Sequence, residues 1–298
     1  MMNFFNKTLE NLKGMFNKEF FKHNPLYIGW FFIYFSLAWT MLGGSVLAFL
    51  LTALLYGISI FIAFSPVGEW LLKVLNNIRP LYTKKEREYL NPLFEEVYEQ
   101  AKSQYSRLSH NIQICIIDSM TINACATGSY TIAVTKGAVE TLSEDELKGL
   151  IGHELAHIAH GDTKAVLLTT IGNGIFSVFV LILKAIMLLF DIILNGVGES
   201  GLMRIITLIF RFFFWVALLA FSLFSEIILS INSRKNEYSA DEFSYTLGYG
   251  DDLKEALYLL QKISLGDNSS IVQKLTKSHP HIAKRIGRLE GLLDEDIV

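Results

Sequence analysis

The chain has 298 residues, of which 51% are hydrophobic and 18% are charged, and its formal net charge is −3. This balance excludes an ordinary soluble globular domain and favours an integral membrane protein with a soluble part. The charge shows no basic excess, so no nucleic-acid partner is expected.

Residues 1–25 carry an apolar stripe at helical spacing, with lysines at other positions. The pattern predicts an amphipathic segment that lies on the membrane surface. A partly frayed polar tail is the alternative. The stripe consists of Phe5, Leu9, Leu12, Phe16 and Phe20.

Residues 26–64 contain no charged side chain. A run of this length is too long for one membrane span, which needs about 20 residues. We therefore predict a transmembrane hairpin that turns near Gly43–Ser45. Two further spans are predicted within 163–231, which gives about four transmembrane helices.

The distribution of lysine and arginine predicts the orientation. These residues precede the first span, follow the second and follow the fourth, whereas the short loops at 43–45 and 191–201 have none. The positive-inside rule then places both termini in the cytoplasm. The chain is therefore predicted to span the membrane several times, with its soluble part in the cytoplasm.

The soluble part is divided by the third and fourth spans. Its first piece, 65–162, should hold a charged helix and three strands, the last two joined by a two-residue turn at Gly128-Ser129. Its second piece, 232–298, should form three helices, with a polar, mobile stretch at 266–277. The helix is predicted at 84–104 and the strands at 112–117, 122–127 and 130–135.

The most informative motif is HELAH at residues 153–157. On a helix, positions i and i+4 share a face, so His153 and His157 can reach one metal ion. Glu154 points to the side of that pair, where it can take a proton from a water molecule that the metal activates.

The flanking residues predict that this motif lies on a helix. Ser143 and Glu146 form a capping box, apolar residues follow at helical spacing, and Gly161 offers a C-terminal stop. A surface helix with two incidental histidines is the alternative reading.

A third metal ligand must come from elsewhere in the chain. The metzincin arrangement is excluded, because its glycine and third histidine would fall at His160 and Thr163. A glutamate on a separate helix fits instead. Glu237 and Asp241 are four residues apart and share a face, so Glu237 can bind zinc while Asp241 holds a ligand imidazole. A solvated acidic helix face is the alternative.

The connections to the spans are short. His157 lies shortly before the third predicted span and Glu237 shortly after the fourth. We therefore expect the site to open at the cytoplasmic membrane surface, with membrane proteins or unfolded polypeptides as substrates and the lipid bilayer as a partner.

Four motifs together resemble the HtpX-type membrane zinc metalloproteases, which are related to the CAAX-prenyl endoproteases. The resemblance covers nearly the whole chain and implies a gluzincin, a mostly helical α+β protein with a zincin-like catalytic domain. It also implies the cell inner membrane as the location, with the catalytic domain in the cytoplasm. It implies one Zn²⁺ per subunit on His153, His157 and Glu237, with Glu154 as the general base. The motifs are NACATG at 123–128, HELAH followed by Gly161-Asp162, NEYSAD at 236–241, and SHPHIAKRI at 278–286.

The same resemblance assigns further roles. His279 would face the zinc and donate a hydrogen bond to the oxyanion, and Arg285 would orient His279 or bind acidic neighbours. A surface position at the start of a helix is the alternative for His279, and His160 and His281 stay unassigned. An extended substrate would pair with the strand made of Asn123, Ala124, Cys125 and Ala126.

The predicted function is zinc-dependent hydrolysis of peptide bonds in misfolded or damaged membrane proteins, as quality control in a stress response. Two rivals are less favoured. A site-2-type intramembrane protease would place the motif inside a span, but this helix starts with charged residues. A scaffold without activity would not need an intact Glu154 beside three ligands. The sequence does not identify the physiological substrate or the oligomeric state.

Overall fold

The structure is a computed structural model that describes residues 2–15, 18–105, 108, 111–175, 177–178, 182, 235–264 and 282–295. Within these residues the protein is mostly helical and contains one four-stranded sheet, which confirms a mostly helical α+β fold. Helices of the first part are α1 Met2–Met15, α2 Lys18–His23, α3 Pro25–Met41, α4 Val46–Ala63, α5 Pro66–Leu75 and α6 Lys84–Gln104.

Helices that follow the sheet carry the HELAH motif and Glu237. The HELAH motif lies on α8, and Glu237 lies on the helix over 235–244, called α10. The π-helical turn Leu167–Gly172 continues α9, and a second one, Tyr245–Tyr249, links α10 to α11. These helices are α7 Lys136–Thr141, α8 Glu144–His160, α9 Asp162–Val166, α10, α11 Gly250–Ser264 and α12 Ile282–Glu295.

Helices α3 and α4 form an apolar hairpin. Ser45 begins α4, where its hydroxyl accepts a hydrogen bond from the Ala48 N–H. Among the described residues, α4 is the one helix long and apolar enough to cross a membrane, since α3 has 17 residues. The third predicted span is only partly described, and the fourth lies outside the described residues, so the four-span arrangement stays a prediction.

The described start of the third predicted span packs against α4. The Tyr56 hydroxyl donates a hydrogen bond of 2.5 Å to Asn173 Oδ1. Both residues are buried, and apolar side chains from the two segments share one cluster that includes Ala63, Leu168 and Ile171. The two segments are therefore neighbours, as two spans of one bundle would be.

The N-terminal apolar stripe is divided between two surroundings. Phe5 and Leu9 on α1 are 52% and 49% exposed, whereas Phe20 on α2 is 2% exposed. Phe20 packs against Gly161, where an added Cβ would lie 3.1 Å from its ring. Phe20 therefore contacts the protein, because its ring fills the space that the glycine leaves open. The predicted position of the segment on the membrane surface stays a prediction. Phe16 lies outside the described residues.

The sheet has the strand order β1-β2-β4-β3, so β3 is an edge strand. Strand β4 pairs antiparallel with β3 and parallel with β2. The β3–β4 connection has three residues, because pairing starts at Thr127 and Thr131, so the predicted two-residue turn is wrong. Gly128 supplies the positive φ of 63° that this turn needs. The strands are β1 Ile78–Arg79, β2 Gln113–Ile117, β3 Ala124–Thr127 and β4 Thr131–Thr135.

Helix α8 lies at the centre of the main hydrophobic cluster, between the sheet, α6 and α11. Leu147, Ile151 and Leu155 on α8 are completely buried, and each such side chain stabilises the fold by about 1.5–3 kcal/mol. Gly149 allows α11 to approach, because an added Cβ would lie 2.6 Å from the backbone nitrogen of Leu253. The backbone of α11 therefore fixes the position of the motif helix.

We predict that Gly149→Ala lowers the free energy of unfolding by about 1–3 kcal/mol, because the new methyl group overlaps backbone atoms that cannot turn away. Thermal unfolding of the detergent-purified protein measures the change. Gly287→Ala on α12 is the control, since an added Cβ there meets open space and alanine is about 1 kcal/mol more favourable in a helix. Equal melting temperatures for Gly149→Ala and the parent would contradict the close approach.

Candidate metal centre

Helix α8 begins and ends where the sequence predicts. The Ser143 hydroxyl accepts from the Glu146 N–H at 3.3 Å, and the Glu146 carboxylate accepts from the Ser143 N–H at 2.7 Å. At the other end Gly161 adopts φ 80°, the left-handed conformation that stops a helix. Because both ends are fixed, His153 and His157 project from one face of an uninterrupted helix.

The structure brings the three predicted ligands together. The Nε2 atoms of His153 and His157 are 3.3 Å apart. Glu237 on α10 places one carboxylate oxygen 3.4 Å from His153 Nε2 and the other 3.6 Å from His157 Nε2. One ligand atom from each residue can be chosen so that all three lie within 4.8 Å of one another.

These separations suit a single zinc ion. Ligand atoms at about 2.0–2.2 Å from a tetrahedral ion are roughly 3.3–3.5 Å from one another. The separation of 3.3 Å between the two Nε2 atoms falls in this range. Each Nε2 also has a Glu237 oxygen at 3.4 or 3.6 Å, and these are the two different oxygens of one carboxylate. Two imidazoles and one carboxylate are also a ligand set of catalytic zinc sites, which leave a fourth position open. The residues therefore fit the metal, and their role as ligands stays a prediction.

A carboxylate holds the far side of each imidazole. Asp241 Oδ1 lies 3.0 Å from His153 Nδ1, the contact predicted from the spacing of Glu237 and Asp241. Asp162 Oδ2 lies 2.8 Å from His157 Nδ1, and Asn236 donates a hydrogen bond of 2.7 Å to its other oxygen. Such partners fix the tautomer, so that Nε2 faces the metal.

The sequence reading missed the role of Asp162. A signal was present, because this aspartate directly follows the glycine that ends the helix of His157. The left-handed glycine turns the chain back, and the carboxylate then reaches the last turn of the same helix. The contribution of Asn236 had no comparable signal.

The acidic neighbours alter the pKa values of both histidines in the metal-free protein. Burial lowers the pKa of His157, but the hydrogen bond to Asp162 and the charge of Glu237 outweigh it and raise the pKa to about 10. For His153, burial and Arg285 lower the pKa, and hydrogen bonds to Asp241 and Glu237 reverse the shift, so the net pKa lies above its usual value. Metal binding must therefore displace protons.

Arg285 on α12 contacts acidic side chains at the centre. It pairs with both oxygens of Asp241, at 2.9 and 2.6 Å, and its Nη1 lies 3.1 Å from Glu237 Oε2. Arg285 is 6% exposed. Of the two predicted roles, binding acidic neighbours agrees with this geometry. His279 lies outside the described residues, so its predicted role stays a prediction.

Glu154 lies between the ligand helix and the edge strand. It is 6% exposed, and its Oε2 accepts a hydrogen bond of 2.6 Å from the Ala126 N–H on β3. The Asn123 carbonyl accepts from the Thr135 N–H of β4, so by alternation Ala124 and Ala126 direct their backbone groups away from the sheet. Burial and the Glu154 charge raise the pKa of the Cys125 thiol to about 11, so it is a poor nucleophile.

Comparison with known proteins identifies the family. The profile of Peptidase family M48 matches residues 84–293, more than half of the chain. The chain belongs to Peptidase family M48. This membership confirms the predicted resemblance to the HtpX-type proteases and the prediction of a metalloprotease.

Several curated relatives carry the same name. The chain is 31% identical over 219 residues to Protease HtpX of Actinobacillus pleuropneumoniae serotype 5b, covering 67% of this chain and 72% of the relative. Protease HtpX homolog of Bacillus subtilis is 27% identical over 248 residues, 76% of this chain and 78% of the relative. Protease HtpX of Stenotrophomonas maltophilia strain R551-3 is 30% identical over 195 residues, 60% of this chain and 66% of the relative.

The alignment with the Stenotrophomonas maltophilia relative thus spans just under two thirds of that relative's length. A solved structure, "Crystal Structure of S. mikatae Ste24p", is similar with a TM-score of 0.48 and 21% sequence identity, covering 79% of this chain and 58% of that chain.

We predict that zinc affinity rises with pH. The raised pKa of His157 stabilises the metal-free protein fully below about pH 6.5, and this stabilisation is lost as the pH rises through about 10. Zinc needs the neutral imidazole, so its affinity should increase by up to roughly tenfold per pH unit in this window. Competition with a chromophoric chelator between about pH 7 and pH 9 measures the slope.

Asp162→Asn should flatten this slope, because it removes the charge that holds the proton on His157. At the upper end of the window it should also weaken zinc binding by about 10–100-fold, since the imidazole loses its orienting carboxylate. If Asp162→Asn kept the parental zinc affinity and its parental pH dependence, the role of Asp162 in holding His157 would be contradicted.

Proposed function

We propose that this protein is a zinc-dependent endopeptidase that acts at the cytoplasmic membrane surface and cleaves misfolded or damaged membrane proteins. The observation that carries the proposal is the position of Glu154. Its carboxylate lies beside a His153, His157 and Glu237 set with zinc-like separations, and it contacts the outer edge of β3. A base, a metal site and a peptide-binding edge thus meet at one point.

Each residue has a chemical task in the proposed mechanism. His153, His157 and Glu237 would hold one Zn²⁺ per subunit, which supplies Lewis acidity toward water and the scissile carbonyl. Glu154 takes the proton of the attacking water and passes it to the leaving amine. Asp241 and Asp162 keep the imidazoles aligned. His279 is proposed to donate a hydrogen bond to the developing oxyanion.

An extended substrate is proposed to add to β3 as a further strand. The outward backbone groups of Ala124 are free of the β4 ladder, whereas the Ala126 N–H already donates to Glu154. Asn123 precedes Ala124, and Cys125 lies between the two alanines. Binding by backbone hydrogen bonds makes little demand on substrate sequence. This suits an enzyme that removes damaged proteins of many kinds.

The proposed position at the membrane surface follows from the helices that flank the site. The motif helix α8 leads through α9 into the third predicted span, whose described start packs against the apolar α4. The first turn of α8 carries exposed Glu144 and Asp145, and charged groups avoid the lipid interior. The motif therefore belongs next to the membrane and not inside it, which disfavours the intramembrane alternative.

We expect Glu154→Gln to lower the rate of peptide-bond hydrolysis by about 10²–10⁴-fold, the usual contribution of a general base. The assay follows zinc-dependent cleavage of an unfolded protein by the detergent-purified chain. Zinc content should stay at one per subunit, because the ligands are intact. Glu144→Gln is the matched control, the same change at an exposed position of the same helix, and should keep the parental rate.

Equal rates for Glu154→Gln and the parent would refute Glu154 as the base. The proposed preference is tested in vesicles that hold a single-span membrane protein with either a folded or a destabilised cytoplasmic domain. Faster cleavage of the destabilised form supports the quality-control role, and equal cleavage of both forms contradicts it.

Ala124→Pro should reduce kcat/KM for polypeptides by about threefold to tenfold, because it removes one outward donor worth about 0.5–1.5 kcal/mol. The β4 ladder does not use this N–H, and proline is tolerated at such edge positions. Ala124→Ser keeps the donor and should retain the parental value. Zinc content and melting temperature verify the fold, and unchanged kinetics in the proline variant would rule out strand addition at this residue.

A further inference from the structure

A chain of hydrogen bonds connects the N-terminal segment to His157. Asn24, between α2 and α3, places its side-chain nitrogen 3.3 Å from Asp162 Oδ1. Asn236 donates to the same oxygen at 2.7 Å, and its nitrogen is 3.4 Å from Asn24 Oδ1. The other oxygen of Asp162 holds His157 Nδ1 at 2.8 Å. Residues far apart in the sequence thus converge on one carboxylate.

Asn24 does not perform the usual task of an asparagine at its position. It is the N-cap residue of α3, where an asparagine side chain normally accepts a hydrogen bond from the second or third helical N–H. Asn24 makes no such bond. Its amide nitrogen turns instead to Asp162 and to the His160 carbonyl, at 3.3 and 3.5 Å. Helix α3 therefore starts without a side-chain cap. The Asn24 side chain instead contacts Asp162, the carboxylate that holds His157.

The surrounding contacts hold this segment against α8. The rings of His23 and His160 stack in parallel with centroids 4.2 Å apart, and Phe20 packs against Gly161. Burial and the neighbouring His23 lower the pKa of His160 to about 4, so the His160 ring is uncharged at neutral pH. Asn24 itself is completely buried. Its amide therefore has a fixed position relative to Asp162.

We propose that Asn24 is a positioning residue of the metal centre and that the end of the N-terminal segment, from Phe20 to Asn24, is thereby a structural part of it. The inference deepens the proposed function and rests on it. A buried carboxylate needs hydrogen bonds on both oxygens. Asn24 and Asn236 supply them on one oxygen, which leaves the other directed at His157. Loss of either amide frees the carboxylate to rotate and misaligns the imidazole.

A purely structural role for Asn24 makes a different prediction. Aspartate and serine cap helices as well as asparagine does, so Asn24→Asp and Asn24→Ser should be harmless if residue 24 only starts α3. In the positioning role, Asn24→Asp sets a second carboxylate against Asp162 and removes a donor. Asn24→Ser removes the donor without adding charge.

The control is the same substitution elsewhere in the N-terminal segment. Asn11 on α1 is also buried, and its amide donates a hydrogen bond of 3.0 Å to the Phe64 carbonyl, in contact with the apolar hairpin and not with Asp162. Asn11→Asp should therefore lower the melting temperature of the metal-free protein and leave its zinc affinity unchanged.

The experiment measures zinc affinity of the full chain in detergent, in the Glu154→Gln background, by competition with a chromophoric chelator. This readout needs no catalysis. We expect Asn24→Asp to weaken zinc binding by about tenfold, the lower end of the effect of outer metal-site partners. Asn24→Ser and Asn236→Ala should weaken it in the same direction, by roughly threefold or more.

The outcomes separate the two proposals. If the Glu154→Gln parent binds no zinc, the proposed function fails and this inference fails with it. If the parent binds zinc and the Asn24 and Asn236 variants match its affinity, the inference alone is overturned. If Asn24→Asp does not fold, Asn24→Ser and Asn236→Ala decide by the same criterion. An equal loss of zinc affinity in Asn11→Asp would also overturn the inference, because it would reveal a general effect of loosening the segment.

Discussion

The centre of this protein depends on the rule that a buried charge must be paired. Removing one partner from a buried ion pair costs about 3–5 kcal/mol, so acidic and basic groups here must assemble together or remain in water. Helices α8, α10 and α12 supply most of them, and Asp162 at the start of α9 supplies another. The buried members are His153, Glu154, Asp162, Glu237, Asp241 and Arg285.

The same rule explains how a metal site can be preformed. Glu237 brings a carboxylate between two imidazoles, and in the metal-free protein the high pKa of His157 keeps a proton there at neutral pH. That proton supplies part of the positive charge that a zinc ion would bring. The positive charge of Arg285 compensates the negative charges of Asp241 and of Glu237, whose Oε2 it contacts. The ligand separations therefore already suit zinc, and binding exchanges one source of positive charge for another.

Local signals in the sequence predicted local structure well. The start of α8 follows from its capping box, and the left-handed Gly161 ends α8 as expected. The predicted bounds of α6, 84–104, also match. A capping box acts within four residues, so its effect can be read without knowledge of the fold. The i and i+4 spacing of His153 and His157 is equally local, and it placed both imidazoles correctly on one helix face.

Features that depend on distant contacts were predicted less well. The parallel pairing of β2 with β4 and the short β1 have no signature in their own residues, because register depends on the neighbouring strand. The three-residue turn at Gly128 departs from the expected two, and α5 contacts that turn through Glu69. Asn24 illustrates the limit most clearly. Its sequence context specifies a helix cap, and only the fold brings it to Asp162.

The distance along the chain between the ligands has a consequence for biosynthesis. On the proposed ligand set, Glu237 follows His157 by 80 residues (237 − 157), which take roughly 4–16 s to synthesise at about 5–20 residues per second. During this interval the nascent chain carries the HELAH helix without its third ligand. The two spans predicted between them would be synthesised in the same interval. On these predictions, the metal centre is completed only after both predicted anchors have been made, so the unfinished chain would carry no complete centre.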